Sequence, residues 1–259
     1  MFRFRALGTG TVALSPARSC SGYVVETDDA LLLVDCGSGI TRRLAELEIE
    51  WHRITHIAIT HFHLDHYADL PTLLYAFRYG MLPVRSAPLA IIGPVGTAAL
   101  FERLAAAYGD FMIAPVYPQT IREIEPGQTF DLTSGGRPTR LSAFKVPHTE
   151  ESVAYSIERG GRRIVYTGDT GVSPELGEWA KGCDLLVAEC SLPESMAIPS
   201  HLTPEQVGEL GRIAQPGMLA LTHFYPPVEH VDVQAAVRGS YAGPLTLAHD
   251  GWAAEFEER

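Results

Sequence analysis

The sequence predicts an α/β protein built as an αββα sandwich, with two sheets packed face to face and helices outside them. Three observations carry that prediction. β-rich runs open each half of the chain, helical runs follow in each half, and the residues suited to chemistry fall just past apolar strands.

Phe2, Phe4 and Ala6 alternate with polar neighbours before Gly8-Thr9-Gly10, the two-residue period of an opening strand. Gly22 to Thr27 and Ala30 to Asp35 are β-rich, and Thr27-Asp28-Asp29 between them predicts a hairpin. A short helix is expected over Thr41 to Leu47, with Leu44 and Leu47 on one face, then a strand over Ile54 to Thr60. Leu70 to Tyr79 reads as a helix with Pro71 in its first turn. Leu89 to Ile92 reads as a strand and Thr97 to Tyr108 as a helix. The second half opens with strands at Gln128 to Leu132, Leu141 to Val146, Val153 to Ile157 and Arg163 to Thr167. A helix at Pro174 to Ala180, a buried strand at Leu185 to Ala188 and a helix at Pro204 to Ile213 come next. Met218 to Thr222 (strand), Val231 to Val237 (helix) and strands at Leu245 to Ala248 and Ala253 to Phe256 close the chain.

A chain of 259 residues suits one large α/β domain, so residues 1–259 are expected to form a single domain. The net charge is −11, and the densest basic spots are only the pairs Arg42-Arg43 and Arg162-Arg163. That balance argues against a long nucleic-acid track, which needs a basic stripe. Cys20, Cys36, Cys183 and Cys190 lack CxxC spacing and read as reduced, mostly buried thiols. The N-terminus has no apolar signal core and no 18-residue apolar run occurs, so a cytoplasmic protein with no membrane span is expected.

The densest chemical signal is Thr60-His61-Phe62-His63-Leu64-Asp65-His66, directly after the apolar Ile57-Ala58-Ile59. Three imidazoles and a carboxylate in six residues can bind two cations. His61 and His63 alternate on extended backbone and can face one ion, while Asp65 and His66, on the turn beyond, can face a neighbour. Zinc takes His nitrogen and Asp oxygen. His148, Asp169 and His223 each follow an apolar strand, in Lys-Val-Pro-His, Tyr-Thr-Gly-Asp-Thr and Leu-Thr-His-Phe. Alone, each would read as a turn or cap residue; beside the first cluster, each becomes a further candidate ligand.

The set H-x-H-x-D-H, then a His, then an Asp in a Gly-Asp-Thr turn, then a His, resembles the metallo-β-lactamase superfamily from about residue 1 to 250. The resemblance implies the metallo-β-lactamase fold, with His61, His63 and His148 on one metal and Asp65, His66 and His223 on the other. Asp169 would bridge them, and a bridging water, made acidic by two cations, would be the nucleophile. Two divalent ions are implied, with zinc the default and manganese, iron or cobalt accepted by the same donors.

Within the superfamily the chain is most similar to ribonuclease Z and its phosphodiesterase relatives. That similarity rests on Gly8-Thr9-Gly10, the run from His66 to Leu74, Ala188-Glu189-Cys190-Ser191, and His201-Leu202-Thr203. The last two are similar to that family's His-Glu-Ala-Thr and His-Ser-Thr segments. Carried over, His201 would protonate the leaving oxygen, Glu189 would orient or polarise His201, and Asp65 would orient the attacking water. The chain also departs from ribonuclease Z. Only twenty residues separate His148 from Asp169, so the long tRNA-gripping arm is absent. Leu14 to Ser19 keeps Arg18 but lacks the family's lysine, and Ser19 stands where Asn is expected.

These features predict a phosphodiesterase for small or cyclic phosphodiesters or RNA 3′ ends, with extensive tRNA binding disfavoured. The alternative on the same core is a lactonase or arylsulfatase-type ester hydrolase, for which Glu189 and His201 would matter less. Tyr75 to Arg85 reads as a packed helix face, a contact in a homodimer or a base-stacking wall, and Tyr108 to Tyr117 as a lid or interface.

Overall fold

The computed structural model describes residues 1–133, 137–257 and 259. β1 (Phe2–Gly8), the hairpin of β2 (Gly22–Thr27) and β3 (Leu31–Val34), α1 (Ile40–Glu46) and β4 (His56–Ala58) begin the first half. It continues with α2 (Leu64–Tyr67), α3 (Leu70–Tyr79), β5 (Leu89–Gly93), α4 (Thr97–Tyr108) and β6 (Gln119–Glu123). β7 (Thr129–Asp131), β8 (Arg140–Lys145), β9 (Val153–Arg159) and β10 (Arg162–Tyr166) open the second half. α5 (Pro174–Trp179), β11 (Leu185–Glu189), α6 (Pro204–Ala214) and β12 (Met218–Thr222) come next. α7 (Val233–Arg238), β13 (Leu245–Leu247) and β14 (Ala253–Phe256) end the chain.

The strands form two sheets, ordered β14-β1-β2-β3-β4-β5-β6 and β13-β12-β11-β10-β9-β8-β7. Successive strand residues face opposite sides, so neighbours on one strand join different layers. Leu32 packs between the sheets with Phe4, Tyr23 and Tyr155. Leu33 packs outward with Ile40, Leu73 and Phe101 of the helices. In the second sheet, Val187 faces the inter-sheet core. Leu186 faces Leu176, Val207 and Val237 on α5, α6 and α7. The result is the four-layer αββα arrangement.

Strand direction decides where the chemistry goes. β3 and β4 run parallel in the first sheet. β10, β11 and β12 run parallel in the second. β8 and β10 are each antiparallel to β9, so β8 shares their direction. The loops after β8, β10, β11 and β12 therefore leave one edge, where they carry His148, Asp169 and His223, with Glu189 at the end of β11 itself.

Three local expectations change. Regular pairing in β4 covers only His56–Ala58, because Ile59 N–H already donates to Ile92 O and the chain then turns toward the histidine cluster. Asp65 and His66 sit in the helical turn α2, started by His63, where a simple turn was expected. β6 escaped notice because its exposed, charged sequence gives no clear alternation. Tyr108 to Tyr117 is anchored to the core at Met112 and Tyr117, both buried, while Tyr108, Ile113 and Val116 stay exposed.

On α3, Phe77 is buried beneath the Arg85 guanidinium, whereas Tyr75 and Tyr79 pack in a tilted pair at the exposed surface. All four cysteines are free thiols, and three are buried. Among the described residues, no helix is long and apolar enough to cross a membrane.

Candidate metal centre

The loops at the shared edge bring all seven candidate ligands together, in two groups. His61, His63, His148 and Asp169 offer ligand atoms within 4.8 Å of one another, and so do Asp65, His66 and His223. Asp169 lies between the groups with one oxygen for each. Its Oδ2 is 3.7 Å from Nε2 of both His61 and His148. Its Oδ1 is 3.2 Å from His66 Nε2 and 3.3 Å from His223 Nε2. Asp65 Oδ2 lies 3.4 Å from His223 Nε2.

Four of the five rings are aimed by a partner on the other nitrogen, which fixes the tautomer. His66 Nδ1 donates to Asp35 at 2.7 Å. His61 Nδ1 donates to Thr60 Oγ1 at 3.1 Å, and that hydroxyl in turn donates to Asp35 at 2.9 Å. His148 Nδ1 donates to the Ser200 carbonyl at 2.8 Å, and His223 Nδ1 to Ser191 Oγ at 3.0 Å. The Nε2 atoms are left facing inward.

These inward atoms decide whether the donor set fits a metal. His61 Nε2, His66 Nε2, His223 Nε2 and Asp169 Oδ1 are buried with no hydrogen-bond partner. His63 Nδ1 and His148 Nε2 face each other at 3.0 Å. Buried polar atoms left unpaired are costly, and such convergence calls for a bound species. Cations between imidazole nitrogens and a carboxylate satisfy these atoms, so the residues fit bound divalent metal.

Electrostatics agree with that fit. Burial, with the neighbouring imidazole of His66, pushes His61 well below the usual imidazole range, so it stays neutral. Burial also lowers His148. Burial disfavours a charge on His66 too, but Asp169 and Asp35 outweigh it and hold the ring well above its usual value. Burial would raise Asp169, yet His223 and His66 overcome it and keep the carboxylate ionised. A proton on His66 thus occupies a place that a cation would take.

Backbone geometry serves the same cluster. Asp35 and His223 hold left-handed φ values of 58° and 59°, strained for non-glycine residues, as Glu48 and Gln215 do away from the site. Gly168, at φ 57°, makes the turn that presents Asp169, and a Cβ there would crowd Thr60. Gly37 passes so close to the Asp65 carbonyl that a Cβ would sit 1.9 Å from it.

Beside the cluster, His201 Nδ1 lies 3.1 Å from both oxygens of the fully buried Glu189. Glu189 also accepts from Thr170 N–H at 2.5 Å and from Leu202 N–H at 3.2 Å, tying the loop after Asp169 to the loop of His201. The latter loop is anchored by α6, whose cap Thr203 forms a reciprocal box with Gln206 ahead of Pro204. Burial works against a charge on His201, but its bond to Glu189 and the charges of Glu189, Asp169 and Asp65 raise it above the usual range. A nitrogen of His201 also falls within 4.8 Å of candidate ligand atoms of Asp169 and His223.

Sequence reasoning missed Asp35 and Ser191 as parts of the site. Asp35 ends the apolar run Leu31-Leu-Leu-Val34, and an acid after a buried strand was the available signal. Ser191 accepts from His223 and donates to Glu189, joining the two halves of the site. Its place in the Ala188-Glu189-Cys190-Ser191 run, two residues after Glu189, was the available signal.

This fold and this site define a metallo-β-lactamase-type protein. The β-lactamase superfamily domain model matches residues 31–224, and the chain belongs to that family. A relative named ribonuclease Z from Mycobacterium sp. (strain KMS) is 26% identical, with 96% of this chain and 94% of the relative covered. The metallo-β-lactamase fold protein YhfI from Bacillus subtilis superposes with a TM-score of 0.83 at 23% identity, over 98% of both chains. Human tRNase Z, short form, does so with a TM-score of 0.78 at 25% identity, again over 98% of both.

Proposed function

We propose that this chain, as one catalytic domain over residues 1–259, is a metal-dependent phosphodiesterase. The observation that carries this reading is a buried carboxylate–imidazole pair, Glu189–His201, held beside two converging sets of ligand atoms. His61, His63 and His148 with one Asp169 oxygen would hold one divalent ion, and Asp65, His66 and His223 with the other oxygen a second. Zinc is the default for such donors, with manganese, iron or cobalt accepted. When bound, two such ions withdraw charge from a phosphoryl group and acidify water, which is the chemistry an in-line displacement requires.

The residues of the chain do the rest. Asp65 orients the attacking water. Glu189 accepts from His201 Nδ1–H, which holds the ring as an imidazolium and leaves the opposite nitrogen to give a proton to the departing alkoxide oxygen. An alkoxide is a poor leaving group without that proton, whereas a lactone needs less help. The similarity to proteins named ribonuclease Z supports a phosphodiester, RNA 3′ ends included.

His201→Ala tests this reading against the ester-hydrolase alternative. We expect a loss of about 10²–10⁴ in kcat on an alkyl phosphodiester, with metal content unchanged. Loss of carbonyl- or sulfate-ester turnover with no phosphodiester turnover in either protein would contradict it.

A further inference from the structure

A cavity of 290 Å³ opens between α5 and α6, walled by Val172, Leu176, Leu202, Leu210 and Ile213. Its lip is made by the loops that carry the site. Leu202 directly follows His201, and Val172 lies three residues beyond Asp169. Gly171 N–H donates to Pro147 O at 2.7 Å, which brings this lip beside His148. The charged residues at the cavity, Glu209 and Arg212, pair with each other at 2.8 Å and leave no spare cation there. Val172 remains 58% exposed, a branched aliphatic side chain held in solvent at the entrance.

The loops around the mouth are poor in cations, and the neighbouring Lys145 is turned onto the Thr149 and Glu150 carbonyls. The site-bearing loops, residues 9–21, 59–66, 147–152, 167–173, 190–203 and 223–232, contain a single Arg or Lys, Arg18. Its Nε is bound to Glu229 at 2.6 Å. The same loops carry Glu150, Glu151, Glu194 and Asp232. A nucleic-acid grip needs cations on successive phosphates, and these loops offer carboxylates.

We propose, building on the phosphodiesterase reading, that the α5–α6 cavity receives the alcohol that leaves, so the site selects small phosphodiesters with an uncharged apolar or aryl alcohol over polynucleotide. One water is consumed. Its oxygen forms the new P–O bond and its proton passes to solvent. The bond to the alcohol breaks, and the departing oxygen takes the proton of His201, which solvent restores. The product alcohol is neutral and rests against Leu202 and Val172.

The test uses the metal-loaded enzyme and methyl 4-alkylphenyl phosphates whose para chain grows from methyl to butyl. The phenols have nearly constant acidity, so only burial varies. We expect kcat/KM to climb about two- to fourfold per methylene, the free 4-alkylphenols to inhibit with the same progression, and Val172→Ser/Ile213→Ser to flatten both. Turnover that is flat along the series, or a higher kcat/KM on an RNA with a 3′ trailer, overturns the assignment of the cavity while the phosphodiesterase stands. No turnover of any phosphodiester by the zinc-loaded protein removes both.

Discussion

His66 Nδ1 lies 2.7 Å from Oδ2 of Asp35, with both side chains completely buried. Asp35 also accepts from Thr60 N–H at 2.8 Å and from Tyr166 OH at 3.2 Å. One carboxylate therefore aims a candidate ligand, fixes the backbone that enters the histidine cluster, and ties both sheets together beneath it. Asp35→Asn should weaken metal binding by about 10–100-fold, read by competition with a chromogenic chelator. Unchanged affinity would show that His66 needs no such support.

The same pair makes the metal-free protein sensitive to pH. His66 has a raised value in the folded state, so its contribution is complete below the ordinary imidazole value of 6.5 and is lost as pH rises through the folded value. A bound cation takes the place of that proton and removes the dependence. The gap in unfolding free energy between zinc-loaded and metal-free protein should therefore widen as pH rises, until the folded value is passed. Calorimetry across pH 6 to about 9 checks this; a gap independent of pH would count against a proton held between Asp35 and Asp169.

Glu189 should set the alkaline limit of turnover. His201 must be protonated to act as an acid, and its bond to Glu189 helps to raise it against the effect of burial. Activity then falls as pH rises through that raised value. Glu189→Gln removes the charge, so the alkaline limb of kcat should move to lower pH, with a loss of about one to two orders of magnitude at pH 8. An unmoved limb would leave Glu189 with a purely structural role.

Asp169 faces both ligand groups, whereas Asp65 belongs to one. Asp169→Ala should abolish metal content together with activity. Asp65→Ala should lose the ion of the Asp65, His66 and His223 group and the activity with it. Either variant retaining two ions and full rate would overturn the ligand assignment.

Much of the architecture was legible because its signals are local. The alternation of Phe2, Phe4 and Ala6 and the proline at the start of α3 each report on a few neighbouring residues, and the structure follows them. β6 was not legible, since a mostly exposed edge strand has no apolar face to pattern it. The candidate ligands could be found because they crowd into one short motif or follow apolar strands. Asp35 and Ser191 act on histidines 31 and 32 residues away, a relationship that only the packed sheets create. The cavity between α5 and α6 was equally hidden, because Leu210 and Ile213 reach it from the far end of α6.

The most direct test is turnover of bis(p-nitrophenyl) phosphate beside p-nitrophenyl sulfate, p-nitrophenyl acetate and a homoserine lactone, with metal content measured on the same preparation. The account predicts about two divalent ions per chain and phosphodiester cleavage far above the other three. A fully metallated protein that ignores the phosphodiester but opens the lactone or cleaves the sulfate ester would keep the fold and contradict the phosphodiesterase.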